Sequence, residues 1–160
     1  MMEECLSSTE ELIPYEEREH YIRERFHSLG FTGGRKLLKL PADEVVICIH
    51  LSRGTWLNRN FIDLGIFFIK LSTASTPKSF SDCHMSMGIL HLADEATRHK
   101  LLAVLDGKSA SYDNITDFYL SYVEPFARQF RTLNLAKQRI LSENSGLGDL
   151  GVQINPIVYK

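Results

Sequence analysis

Apolar positions along the chain recur with two different periods. From Pro14 onward, Tyr15, Ile22, Phe26 and Leu29 fall on one helical face, with Arg and Glu between them. Gly30 follows in the position where a left-handed residue closes a helix. Ser8-Thr9-Glu10-Glu11 has capping-box spacing and Pro14 suits a first turn, so the helix starts at either Thr9 or Pro14.

The period then changes to two. Arg35 to Leu40 predicts a short, partly charged strand, and Pro41-Ala42-Asp43-Glu44 a turn. Val45 to Ser52 alternates: Val45, Ile47, Ile49 and Leu51 point one way, and Val46, Cys48, His50 and Ser52 the other. Asn60 to Leu71 is apolar on both faces apart from Asp63 and Lys70, as a central strand requires. Gly65 within it predicts a bulge or the close approach of another backbone. After a Ser/Thr/Pro loop, Cys83 to Leu90 alternates again, with Cys83, Met85, Met87 and Ile89 on one side.

The last third returns to helical spacing. Leu92 to Leu105 carries Leu101, Leu102 and Leu105 on one side and ends at Asp106-Gly107. A longer pattern runs from Ile115 through Phe118, Tyr122, Phe126, Phe130 and Leu133 to Ile140, with Asp113 or Asn114 to cap it. Pro125 interrupts the hydrogen-bond ladder, so this segment is expected to kink or divide there. The order is α-β-β-β-β-α-α. It predicts a single α+β domain over 1–160, a four-stranded antiparallel meander packed on one face by an N-terminal helix and C-terminal helices. A fifth strand arises if Val152 to Ile157 docks on the edge. Residues 1–8 and the glycine-bearing tail 145–160 are expected to be peripheral.

Composition narrows the function classes. The 160 residues are 44% hydrophobic and 24% charged, which is ordinary for a globular chain. A net charge of −2 gives no electrostatic footprint for nucleic acid. The charge is uneven: residues 1–25 hold eight acids and three bases, net −5, and the rest sums to +3. This is either a solvated helix face or an acidic surface for a basic partner. Cys5, Cys48 and Cys83 form no disulfide framework and read as free thiols in a reducing compartment. The acidic start has no signal-peptide pattern, and no apolar stretch is long enough to span a membrane. The expected location is cytoplasmic.

Gly30-Phe31, the strand pair that follows, Phe61-Ile62-Asp63-Leu64-Gly65-Ile66 and Cys83-His84 together resemble the bacterial domain of unknown function 4304 family. The resemblance covers roughly residues 14–135. The family tends to have Asn where this chain has Asp63. It often carries an arginine after the Cys, where this chain has Met85, Ser86, Met87 and Gly88. The resemblance implies an α+β fold and a bacterial source, with no established activity. Small domains of this sort are often encoded among toxin–immunity cassettes.

Catalytic motifs are absent. There is no G-x-S-x-G, no Walker pattern and no G-x-G-x-x-G. None of the six histidines has H-x-x-x-H spacing and there is no C-x-x-C, so no metal or cofactor is expected. His50 and His84 could meet across the sheet beside Asp63 and do acid–base work, or be plain polar residues of a sheet face. Arg53-Gly54-Thr55-Trp56-Leu57-Asn58-Arg59 joins two strands and places the single Trp between two Arg. Such residues dominate binding hot spots, although Trp56 could equally fold back as a loop anchor.

Three readings follow. The first is a non-catalytic protein-binding module, with an immunity-type role against a toxin as its specific form, using Arg53, Trp56 and Arg59. The second is a small enzyme or ligand-binding protein using His50, Asp63 and His84. The third is a self-associating role through an open sheet edge, so the chain is a monomer or a homodimer.

Overall fold

The computed structural model describes residues 11–142 and 146–159. Helix α1 spans Tyr15–Ser28, with Pro14 at its N-cap and Gly30 at φ 100° just past its end. The candidate start at Thr9 lies outside the described residues. Ile22 and Phe26 of the expected stripe are buried, and so is Arg18 on the same face.

A six-stranded antiparallel sheet follows, with strands in chain order: β1 Thr32–Gly33, β2 Leu37–Ala42, β3 Val45–Arg53, β4 Asn60–Phe68, β5 Met85–Gly88 and β6 Gln153–Ile154. The fold is α+β, and the tail does supply an edge strand. The tail is not merely peripheral, because Leu147 and Val158 are both buried in the core. The extra strand, β1, is two residues long and too short for a period to register. Pro41 and Ala42 belong to β2 rather than to the turn, which tightens at Asp43 with φ 55°.

The inner face of the sheet carries Leu38, Ile47, Ile49, Leu64, Ile66, Met85 and Met87 against the helices. These helices are α2 Glu95–Leu105, capped by Asp94, then α3 Asp113–Phe118, α4 Glu124–Arg128 and α5 Leu133–Leu141. A π-helical segment, Tyr119–Val123, joins α3 to α4. The α-helical pattern is thus interrupted just before Pro125, as the sequence predicts. Pro125 lies in the first turn of α4, where a missing N–H matters least, and the wider π turn precedes it. A second break follows at Gln129 to Thr132, and Thr132 caps α5.

The outer face is covered differently. Val46, Cys48 and Phe67 pack against Phe80 and Cys83 of the connection between β4 and β5, which folds back over the sheet. Cys83 thus leaves the side shared by Met85 and Met87, because it precedes the strand. Gly65 pairs with Cys48 in an unbroken register, so there is no bulge. What approaches it is side chain: a Cβ there would lie 2.6 Å from Phe80 Cε1 and 2.7 Å from Cys83 Sγ.

Candidate functional site

β3 and β4 are joined by residues 54–59, and their stems are fixed from several directions. The Arg53 guanidinium donates two hydrogen bonds of 2.9 Å to the Glu19 carboxylate and lies 4.9 Å from the centre of the Tyr15 ring. Arg59 makes a similar fork to Asp106 at the end of α2, at 2.6 and 3.1 Å. Tyr15 Oη donates to Leu57 O at 3.2 Å. Within the loop, Gly54 N–H donates to Arg59 O and Arg59 N–H to Leu57 O, each at 2.8 Å. A side chain at Gly54 would strike Leu57 O, so glycine is needed for this close turn.

Beneath the loop sits Arg18, 1% exposed. Its guanidinium donates to the carbonyls of Ile13, Asn58 and Leu105 and to the side-chain oxygens of Asn58 and Asn60. No described carboxylate pairs with it. A buried cation is tolerable only when its donors are all placed, and here the five acceptors do that work. The guanidinium also stacks 4.4 Å from the centre of the Tyr15 ring. Arg18 thereby ties the start of α1, the end of α2 and the β3–β4 loop to one point.

On this pinned base Trp56 is 95% exposed, with Leu57 exposed beside it. Trp56 does not fold back as an anchor. The two flanking arginines are held by carboxylates, so they shape the loop. The hydrogen bond from Arg53 is the main reason the Glu19 carboxyl sits below the usual carboxylate range, and the Arg59 guanidinium is shifted up by its bond to Asp106. The anchors Tyr15, Arg18, Glu19 and Asp106 escape sequence reading. They come from α1 and α2, and nothing in local spacing links them to the loop.

The second candidate cluster separates into two parts. His50 and Asp63 are cross-strand partners, with Nδ1 3.7 Å from Oδ2. The His50 ring stacks on Phe80, centroids 4.9 Å apart. Burial pushes the Asp63 carboxyl up, opposed by His50 and His91. His84 shares this outer face but lies beside Phe67, four residues further along β4, about 13 Å at the rise of a strand. Its Nδ1 accepts the Phe68 N–H at 2.9 Å, and burial lowers its pKa. The three residues therefore do not converge. His91 is a further histidine on the other side of Asp63: both line an open cleft of about 500 Å³ with Arg59, Phe61 and Arg98. His91 was not legible because it lies in a short 3₁₀ turn after β5.

Cys48 of β3 and Cys83 of the connection that folds over the outer face are free thiols. Their mutual hydrogen bond and burial both push the Cys83 thiol up, which keeps it protonated and unreactive near neutrality. Among the described residues no three His, Cys, Asp or Glu side chains gather to hold a metal ion. No described helix is long and apolar enough to cross a membrane. No protein-family model, curated protein or solved structure matches the chain.

Proposed function

We propose that this chain is a non-catalytic protein-binding module that presents the Trp56 loop to a basic partner. The observation that carries the reading is an almost fully exposed tryptophan on a loop whose stems are pinned by Arg18, Arg53, Arg59 and Tyr15. A large aromatic held in water costs hydrophobic free energy that burial in a partner recovers. Pinning the stems in advance lowers the ordering cost of association. Exposed Glu16 and Glu17 on α1, near the Arg53 stem, give the approach surface a negative sign. That sign favours a basic partner and speeds encounter.

The resemblance to the domain of unknown function 4304 family supports an immunity-type role, in which the partner is a toxin whose working surface is occluded. Products of the neighbouring reading frames are the first partners to test. Calorimetric titration should show tight binding by the intact chain and a loss of about 30-fold or more for Trp56→Ala. Unchanged affinity of Trp56→Ala for a partner that binds the intact chain would exclude this loop as the interface.

A further inference from the structure

The open cleft of about 500 Å³ that holds Asp63 and His91 contains two charged groups without a matching ion. Phe61, Leu90 and Leu102 give it apolar walls. Arg59 also lines it, but two hydrogen bonds to the Asp106 carboxylate already match that guanidinium. Asp63 and Arg98 are the unmatched pair.

The Asp63 side chain is 34% exposed, so the cleft reaches it. Its ion-pair contact among the described residues is His50 Nδ1 at 3.7 Å, too long for a hydrogen bond, and that nitrogen has no hydrogen-bond partner. Across the ladder from Asp63 stands Gly88, with the ordinary extended dihedrals φ −75° and ψ 133°. A Cβ there would come no closer than 3.5 Å to Asp63 Oδ1 and 3.6 Å to His91 Cδ2. Neither backbone nor packing requires glycine at this position, and the missing side chain leaves the carboxylate open. Burial pushes the Asp63 carboxyl up, against the pull of His50 and His91, and a bound ammonium group would offset that penalty. Arg98 is fixed to the wall by one nitrogen: Nη2 donates to the carbonyls of Leu90 and Ala93, each at 3.2 Å. No described carboxylate pairs with it, so Nε and Nη1 remain as donors.

We infer that this cleft binds a small zwitterion, an amino acid with an apolar side chain, whose ammonium group Asp63 receives and whose carboxylate Arg98 receives. The apolar side chain rests on Phe61, Leu90 and Leu102. Hydrogen bonds to ionised groups are the strong ones, and the ligand supplies one to each unmatched charge. The site does not use the Trp56 side chain, is independent of the protein-binding reading and stands or falls separately.

Three probes of similar shape test it by chemical-shift titration of the isotope-labelled chain. Phenylalanine carries both charges, phenylalaninamide keeps only the ammonium group, and N-acetylphenylalanine keeps only the carboxylate. Phenylalanine should shift the amides of Asp63, Gly88 and Arg98 saturably and bind at least about 5-fold more tightly than either analogue. Asp63→Asn should weaken phenylalanine about 5-fold or more and leave N-acetylphenylalanine unchanged. Arg98→Gln should weaken phenylalanine similarly and leave phenylalaninamide unchanged. Both substitutions alter partly exposed side chains, so the fold should be retained. Gly88→Val, which puts a side chain over Asp63 on an already extended backbone, should block all three probes. The inference is overturned if phenylalanine does not shift these amides saturably, or if either analogue binds as tightly as phenylalanine. It is also overturned if Asp63→Asn or Arg98→Gln leaves phenylalanine affinity intact.

Discussion

The guanidinium of Arg53 and the carboxylate of Glu19 meet through two parallel hydrogen bonds of equal length, 2.9 Å, joining the last residue of β3 to the middle of α1. This fork holds one stem of the Trp56 loop, and Arg59 with Asp106 holds the other. If these forks serve to shape the loop, loosening one should soften the loop locally. Glu19→Gln should speed hydrogen exchange of the Gly54 and Arg59 amides, while the midpoint of global unfolding changes little, since an exposed pair is screened by water. Exchange read amide by amide separates the two effects.

Arg18 should matter far more to stability. Arg18→Met leaves the Ile13 and Leu105 carbonyls and the Asn60 side chain without their donor in a buried place. The expected loss is about 3 kcal/mol or more, visible as a lower urea midpoint. Arg18→Lys keeps the charge but not the planar fork, so it should recover only a minor part.

At Gly65 the outer face has no room. Gly65→Ala drives a methyl into Phe80 and Cys83, both part of the packed outer layer. Overpacking of this kind costs about 1–3 kcal/mol, measurable by thermal or urea unfolding. Gly65→Ala combined with Phe80→Leu should recover part of it.

His84 predicts a pH effect of definite sign. Burial holds its folded-state pKa below that of the unfolded chain. The stability it contributes is complete above about pH 6.5, the ordinary histidine value, and is lost as pH falls from there through the folded-state pKa. Protonation would also destroy the acceptor that Nδ1 offers to the Phe68 N–H. His84→Asn keeps an acceptor and removes the titration. Urea midpoints measured from pH 7.5 to 5.5 should fall less steeply for this variant than for the native chain.

Much of the fold was legible because alternation and helical spacing are written locally. Val45 to Arg53 shows its two faces in its own residues, and Leu101 and Leu105 show the buried side of α2. The tertiary decisions were not local. Trp56 reads the same whether it folds back or stands out; only the anchors from α1 and α2 decide it. Arg18 looks like one more solvated charge between apolar neighbours, and its burial depends on carbonyls supplied by residues up to 87 positions away. His50 and His84 do share a face, as alternation predicts. Their separation along β4 depends on the register of β5, which the sequence does not display.

Strand order matching chain order has a kinetic consequence. β2, β3 and β4 can zip together through short reversals, each costing little loop-closure entropy. β6 reaches β5 only after 64 intervening residues have found their places. The early chain thus assembles as a growing ribbon, and the carboxyl-terminal strand is the piece that arrives last, latching a sheet already built.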